Sequence, residues 1–272
     1  MKGCEKASNC LPCPYSDFPG GYCGYRFLRH EQSQNEKLDS LQAQISLLSL
    51  KLQDGTPAAE FTNRISDNYD YLAIGNSITR HAITDFWWSE CGMAASEACL
   101  DYYRQVAEGL ETTFGSLNSA AYNYSVWEVQ AHDRSETYEF LDEWLAPGID
   151  LVTVQLSENC SDMTTFEDDF VSLISHIQEI CGDGCKVLVI DDFWDDGKHD
   201  LKKSVCEVLE IPFVDLSDIR GDKAYMAEIG AAVFGDDGEE HVIEHNGVAA
   251  HPGDEGMAVI ADRILEWVFW LE

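Results

Sequence analysis

Short apolar segments alternate with longer helix-like segments from about residue 61 to the end of the sequence. The apolar segments have the length and composition of buried strands and are bounded by turn residues. They lie at 69–74, 120–124, 149–156, 186–190 and 211–214, and the helix-like segments lie at 96–110, 135–145, 164–180, 199–209 and 255–271. Buried strands that alternate with helices form a parallel sheet covered on both faces. The sequence therefore predicts a three-layer α/β/α sandwich with about five parallel strands, and its Asp-Gly turns predict a hairpin within residues 234–247.

Polar residues that could carry chemistry are predicted near one edge of this sheet. Gly75, Asn76 and Ser77 follow the first strand, Asn159 follows the third, and His251 precedes the last helix. In parallel sheets, sites form at the carboxyl ends of the strands. A serine, an amide and an imidazole can serve as nucleophile, oxyanion donor and general base in acyl transfer. Each also has a structural interpretation, as a helix-start serine, a strand-end turn or a structural histidine.

In this order the segments resemble the sequence blocks of the SGNH, or GDSL-type, hydrolases. Gly75-Asn76-Ser77-Ile78 is similar to the Gly-Asp-Ser-Leu block that holds the family's nucleophile after the first strand. Ser157-Glu158-Asn159 ends in the Asn of the family's third block, and His251-Pro252 precedes Gly256 as in its last block. The resemblance covers about residues 65 to 272. It implies the flavodoxin-like SGNH fold, an acyl-enzyme on Ser77 and His251 as the base.

The resemblance also implies an oxyanion hole, and one part of it departs from the family pattern. The hole would consist of the Ser77 N–H, the Asn159 side chain and a backbone N–H after the second strand. The family supplies that backbone N–H from an Asn-x-Gly-x-x-Gly block, whereas residues 123–128 here read NYSVWE, without either glycine. Since a backbone donor does not require glycine, Trp127 or Glu128 is expected to line the hole.

A second departure concerns the group that orients the histidine. The family has an Asp three residues before its His, and that position is Val248 here. Three explanations remain open: a Ser-His dyad, a backbone carbonyl, or another side chain. Glu244, Glu128 and Asp254 are the candidate side chains, although Asp254 is also placed to be the N-cap of the last helix.

The first 27 residues contain Cys4, Cys10, Cys13 and Cys23 among prolines and glycines. Four thiolates can bind zinc tetrahedrally, although only one pair has the tight two-residue spacing. A structural zinc, disulfides or no fixed role are all compatible with the pattern. Catalysis by the predicted residues requires no cofactor.

Residues 28–54 contain leucine and isoleucine at alternating spacings of three and four, from Leu38 to Leu52. This pattern is typical of a short coiled coil, and the alternative is an amphipathic helix docked on its own domain. Breakers at residues 54–57 separate it from the domain predicted over 61–272. The coiled coil predicts a homo-oligomer.

The net charge of −33 lies entirely beyond residue 54, because the first 54 residues hold equal numbers of acidic and basic side chains. A strongly acidic domain repels nucleic acid and anionic membranes, so neither is expected as a partner. The sequence contains no run of apolar residues long enough for a transmembrane helix and no secretory signal pattern. These features predict a cytoplasmic protein.

The function expected from these residues is ester hydrolysis. The aromatics Phe86, Trp87, Trp88, Trp127, Phe193 and Trp194 could form a platform for a sugar, which would suit an O-acetylated carbohydrate, or they could be core packing. The same catalytic residues could instead serve an acyltransferase. Val248 favours a third hypothesis, in which an oligomeric binding or assembly protein has lost efficient chemistry.

Overall fold

The computed structural model describes residues 68–130, 133–194 and 197–270. The predicted cysteine-rich segment, its zinc site and the coiled coil lie outside these residues, so they and the homo-oligomer stay predictions. The strands are β1 (Tyr69–Gly75), β2 (Leu117–Asn123), β3 (Leu151–Gln155), β4 (Lys186–Ile190), β5 (Phe213–Val214), β6 (Ala232–Phe234) and β7 (Glu240–Val242). The α-helices are α1 (Tyr102–Phe114), α2 (Ser125–Val129), α3 (Tyr138–Asp142), α4 (Phe166–Cys181), α5 (His199–Val208), α6 (Asn246–Ala249) and α7 (Asp254–Trp270). Short 3-10 helices span Ala98–Leu100, Arg134–Thr137 and Lys223–Tyr225.

Five parallel strands form the central sheet in the order β2-β1-β3-β4-β5, and β6 and β7 form a separate antiparallel pair. This is the flavodoxin-like order, in which the chain reverses direction across the sheet between β1 and β3. The α/β class, the five-stranded parallel sheet and the hairpin before the last helix are therefore confirmed. The fold is the one that the resemblance to SGNH hydrolases implies.

Both faces of the sheet are covered because successive strand residues point to opposite sides. Tyr71 and Ala73 join a buried cluster with α1 and α7, which pack against each other. Leu72 and Ile74 alternate with them along β1 and are fully buried on the opposite face. There α4 packs against β4 and α5. The result is the predicted three-layer sandwich.

Several element boundaries differ from the prediction. Helix α1 begins at Tyr102 rather than at residue 96, because the Asp101 side chain accepts a hydrogen bond from the Arg104 N–H at 2.7 Å and caps the helix. The helix predicted at 135–145 is a 3-10 turn followed by the short α3. Within the described residues, no helix has the length and apolarity needed to cross a bilayer.

Candidate active site

Ser77 lies on a tight turn directly after β1. Residue 75 must be glycine, since a Cβ there would lie 2.8 Å from the Gln155 carbonyl oxygen and even closer to Thr79 Oγ1. Asn76 then closes the turn: its side-chain oxygen accepts from the Ile78 N–H at 3.0 Å, and its carbonyl accepts from the Thr79 N–H. The abrupt end of the strand thus presents Ser77, which is half-buried, at the carboxyl edge of the sheet.

Ser77 and His251 are brought together from positions 174 residues apart. Ser77 Oγ lies 2.8 Å from His251 Nε2, which is hydrogen-bonding distance for a nucleophile and its base. His251 follows α6 and stands just before α7, and its side chain is buried. The ring of Trp194 packs edge-on against the imidazole at 4.6 Å between centroids, and the Trp194 indole N–H donates to the Ala250 carbonyl at 2.6 Å.

The other ring nitrogen of His251 is held by the backbone. His251 Nδ1 lies 2.7 Å from the Gly247 carbonyl oxygen, one turn earlier in the chain. Because a carbonyl can only accept, Nδ1 must carry the proton, and Nε2 is left with a lone pair directed at Ser77. A main-chain carbonyl therefore fixes the tautomer that a general base requires.

None of the three carboxylates predicted as candidates orients His251. The Asp254 carboxylate accepts from the N–H and hydroxyl of Ser96, at 2.8 and 2.6 Å, and Glu244 is exposed. Glu128 is occupied by donors from the turns after β1 and β3. Val248 is 1% exposed and belongs to the core between the sheet and α7. Val248, at the position where the family pattern has an aspartate, thus packs in the core.

The buried carboxylate of Glu128 joins the turns that follow β1 and β3. Its Oε1 accepts from Asn76 Nδ2 at 3.0 Å and from the Ser157 N–H at 2.6 Å. Its Oε2 accepts from Asn159 Nδ2 at 2.7 Å. Burial raises the pKa of Glu128, and the hydrogen bonds from Asn159 and Asn76 oppose that rise. This contact fixes the orientation of the Asn159 amide and leaves its second N–H to donate elsewhere.

The predicted backbone donors of the oxyanion hole differ in whether their N–H groups are already hydrogen-bonded. No acceptor within the described residues pairs with the Ser77 N–H, so that donor is available. The Trp127 N–H, in contrast, donates to the Tyr124 carbonyl at 3.0 Å, and the Trp127 side chain is buried between Phe166 and Phe170. Trp127 therefore does not line the site.

A fully buried ion pair beneath the site was not identified from the sequence. Ser157 Oγ donates to Asp192 Oδ1 at 2.5 Å, and Lys202 Nζ donates to the same oxygen at 2.7 Å. Lys202 also donates to the carbonyls of Leu156 and Ile190, the last residues before the turns after β3 and β4. Asp192 follows β4, so the strand-end rule applied to β4 would have found it. Lys202 gives a weaker signal, a single lysine in the apolar face of α5.

Ser157 adopts a backbone conformation that disfavours side chains. Its φ is 116°, in the region that glycine occupies most readily. Two hydrogen bonds hold it there, one from its N–H to Glu128 and one from its hydroxyl to Asp192. A strained backbone conformation of this kind persists only when the surrounding contacts stabilise it.

The electrostatics around His251 keep the imidazole neutral. Burial is the main cause that lowers the pKa of His251 to about 3, and the neighbouring His81 and His245 act in the same direction, whereas the hydrogen bond to Gly247 opposes the shift. A neutral imidazole is the form that accepts the proton of Ser77. The imidazole is therefore in the form that a general base requires at neutral pH.

The six aromatic residues predicted as a platform divide into two groups. Trp87, Trp127 and Phe193 are almost completely buried and cannot stack on a ligand. Phe86 and Trp88 line an open cavity, and Trp194 packs on His251. The platform hypothesis can therefore involve only the second group.

One trio of described side chains has the spacing of a metal site. Ligand atoms of Asp191, His199 and Asp215 all lie within 4.8 Å of one another. However, Asp191 Oδ2 already accepts from His199 Nδ1 at 2.8 Å and from the Arg220 guanidinium. The guanidinium thus supplies positive charge to Asp191, and the Asp215 carboxylate accepts from the Ser217 N–H at 2.8 Å.

No protein-family model and no curated protein sequence matches this chain. Among solved structures it is similar to a two-domain esterase (CEX) active on acetylated mannans, at 16% identity and a TM-score of 0.49, over 75% of this chain and 50% of that one. It is also similar to a member of the lipolytic protein G-D-S-L family from Veillonella parvula DSM 2008, at 12% identity and a TM-score of 0.41, over 73% and 97%. The lipase Lip_vut3 from a goat rumen metagenome matches at 14% identity and a TM-score of 0.35, over 72% and 96%. The chain thus spans about half the length of the two-domain esterase.

Proposed function

We propose that this protein is a serine esterase that hydrolyses its substrate through an acyl-enzyme on Ser77. The observation that carries the proposal is the continuous hydrogen-bond chain Ser77–His251–Gly247, with distances of 2.8 and 2.7 Å. It joins a nucleophile, a neutral base and a group that fixes the tautomer of the base. These are the parts of a serine hydrolase, with a backbone carbonyl in place of the usual carboxylate.

The reaction follows from these contacts. His251 Nε2 takes the proton of Ser77 as Oγ bonds to the ester carbonyl carbon, and the carbonyl oxygen becomes an oxyanion. His251 then gives the proton to the leaving alkoxide as the ester C–O bond breaks, which leaves the acyl group on Ser77. Water repeats the sequence, losing a proton to His251 and releasing the acid and free Ser77.

The oxyanion is held by the free Ser77 N–H and by the second N–H of the Asn159 amide. The Glu128 carboxylate supports this role because it orients Asn159 and ties its turn to that of Asn76. A third donor was predicted to be the backbone N–H of Trp127 or Glu128. The Trp127 N–H is already paired with the Tyr124 carbonyl, so only the Glu128 N–H stays a candidate. Preorganised donors of this kind typically contribute about 10²–10³-fold each to turnover.

The substrate class stays a prediction. An O-acetylated carbohydrate is compatible with Phe86 and Trp88 on an open cavity, because aromatic faces bind sugars. An acyltransferase would use the same residues with a hydroxyl acceptor in place of water, and product analysis in the presence of candidate acceptors distinguishes the two.

Ser77→Ala tests the proposal directly. The wild-type protein should hydrolyse a short-chain aryl ester and become labelled at Ser77 by a fluorophosphonate, and Ser77→Ala should lower kcat by at least about 10³-fold. Ser175→Ala is the matched control, because Ser175 is an exposed serine on α4. If wild-type protein shows neither turnover nor labelling, the esterase proposal is wrong and the binding or assembly hypothesis gains support.

A further inference from the structure

A cavity of about 420 Å³ opens between the two segments that carry the nucleophile and the base. It is lined by Asp85, Phe86, Trp88, Val242, Glu244 and His245. Its volume lies within the usual range for small-ligand sites. The proposed chemistry uses none of these side chains.

One wall of the cavity is formed by the loop of residues 78–92, whose two ends lie close together at Ser77. The Ser77 carbonyl accepts from the Met93 N–H at 2.8 Å, and the His81 N–H donates to the Cys91 carbonyl at 2.9 Å. These contacts close the excursion that carries Asp85, Phe86 and Trp88. The wall is therefore fixed relative to the nucleophile.

The opposite wall is formed by Val242, Glu244 and His245, in the segment that connects the β6–β7 hairpin to His251. His245 is the residue before α6, and its ring lies about 3 Å from where a Cβ on Gly247 would be, the residue whose carbonyl orients His251. Phe86 stacks on His245 at 4.7 Å between ring centroids, and Trp88 stacks on His241 at 4.4 Å. The two walls thus meet through aromatic contacts.

Asp236 clamps the hairpin to the loop. Its carboxylate accepts from the Ser89 hydroxyl at 2.7 Å and from the Glu90 N–H at 2.8 Å, and its N–H donates to the Trp88 carbonyl at 2.9 Å. These bonds fix the hairpin to the loop that carries Trp88. A preformed cavity of this kind reduces the ordering cost of ligand binding.

Both walls carry acidic side chains and no lysine or arginine. No lysine or arginine occurs in residues 81–103 or 224–262, the segments that supply every lining residue. Arg80, just before the first segment, is committed to Glu90 at 2.6 Å and to the Ala121 carbonyl. Within the described residues, neither Asp85 nor Glu244 has a cationic partner. The cavity therefore combines two carboxylates that have no cationic partner in the described part of the chain with the exposed ring of Phe86 and the half-buried ring of Trp88.

We propose that this cavity is a subsite for a positively charged group, an alkylammonium or protonated amine, on the ester that Ser77 cleaves. Carboxylates attract such a group by charge, and the faces of Phe86 and Trp88 attract it through cation–π contact. An anionic group is disfavoured by the same walls, and a neutral polyol gains only the stacking. The inference rests on the proposed esterase function for the reaction but concerns a binding site that can be probed without it.

The substrate test compares two esters of the same shape at pH 8, where imidazoles are neutral. Acetylcholine carries a trimethylammonium group, and 3,3-dimethylbutyl acetate carries its uncharged carbon counterpart. We expect kcat/KM to favour acetylcholine by about tenfold, since each exposed charge or cation–π contact contributes a few-fold. Asp85→Asn and Glu244→Gln should each lower that ratio by about two- to fivefold, and 0.5 M NaCl should lower it as well. Glu179→Gln removes one charge from the exposed side of α4 and is the matched control, with the ratio retained.

A binding test separates this inference from the proposed function. Choline and 3,3-dimethylbutan-1-ol are titrated into Ser77→Ala protein while tryptophan fluorescence is recorded. Choline should bind in the millimolar range and the neutral alcohol more weakly, with Glu244→Gln removing the difference. Equal binding of the two, or equal turnover of the two esters, overturns the cationic subsite and leaves the esterase proposal intact. Selective choline binding without hydrolysis of either ester would support the subsite and count against the esterase.

Discussion

At the scale of single residues, the proposed chemistry depends on the hydrogen bonds that fix the orientation of the polar side chains. Glu128 is the clearest case, because one buried carboxylate receives Asn76, Ser157 and Asn159. The same contact explains why Asn76 stands where the family pattern has an aspartate. An aspartate carboxylate at this position would place a second acidic group against Glu128, whereas the Asn76 amide donates to Glu128 and still accepts from Ile78.

Glu128→Gln tests whether this carboxylate positions the oxyanion donors. The variant replaces one accepting oxygen with an NH₂ group that faces the donors of Asn76 or Asn159, so one of those contacts must break. We expect kcat for a short-chain ester to fall about 10- to 100-fold with little change in KM. Glu139→Gln, an exposed glutamate on α3, is the control. A rise in KM at constant kcat would contradict a role in the transition state.

The pH dependence of activity follows from the environment of His251. Burial lowers the pKa of His251 to about 3, so this imidazole, the proposed base, stays neutral far below the usual value of about 6.5. The acidic limb of kcat/KM should therefore lie below pH 5, as measured with an ester whose own hydrolysis is slow. Circular dichroism at each pH separates titration from unfolding. A limb centred between pH 6 and 7 would show that the imidazole is more solvated than the structure indicates.

The same shift has a consequence for stability. The unfolded chain binds a proton on this histidine as pH falls below about 6.5, whereas the folded protein resists protonation until about pH 3. The contribution of His251 to the free energy of unfolding is thus complete above pH 6.5 and is lost progressively as the pH falls toward 3.

At the scale of elements, the four-residue helix α6 determines how the His251 imidazole is oriented. It directs the Gly247 carbonyl at His251 Nδ1 and turns Val248 into the core. The His251 N–H donates back to the Val248 carbonyl at 3.0 Å, which fixes the short turn. The positions of the two residues are therefore coupled, and a carboxylate at 248 would be buried away from solvent.

Val248→Asp should fail to restore a triad. A carboxylate at this 1% exposed position would lose its hydration without a partner, so we expect a loss of about 3 kcal/mol in the free energy of unfolding and no gain in kcat. Urea denaturation and ester turnover measure the two effects. Val248→Thr, which keeps the shape and adds one hydroxyl, is the milder control, with a loss of about 1 kcal/mol. Wild-type stability together with faster turnover in Val248→Asp would mean that the position faces the imidazole.

At the scale of the whole molecule, the acidic surface works against compactness. The net charge is −33, and all of it lies beyond residue 54. Like charges at this density repel one another, and the repulsion is relieved when the chain expands. The fold is maintained by the continuous core on both faces of the sheet.

Salt should therefore stabilise the protein. Raising NaCl from 20 to 500 mM at pH 7.5 shortens the Debye length from about 20 Å to about 4 Å, so it screens most of the repulsion. We expect Tm to rise by several degrees in differential scanning calorimetry, and by less as the pH approaches the isoelectric point near 4.3. Sucrose of equal osmolarity controls for solvent effects. A fall in Tm with NaCl would indicate that ion pairs such as Arg263–Asp218 matter more than net repulsion.

The amino-acid sequence is enough to identify the class of fold and the position of Ser77, the proposed nucleophile. Apolar periodicity and turn residues are local properties, so they specified five strands, their helices and a glycine-to-serine turn at residues 75–77. The tertiary structure alone decided what completes the site. The group that orients His251 is a main-chain carbonyl, which no residue type encodes, and the group that anchors Asn159 is a glutamate 31 residues away in sequence. Such contacts depend on how distant segments meet in space, and only the packed sheet and its helices bring them within hydrogen-bonding distance.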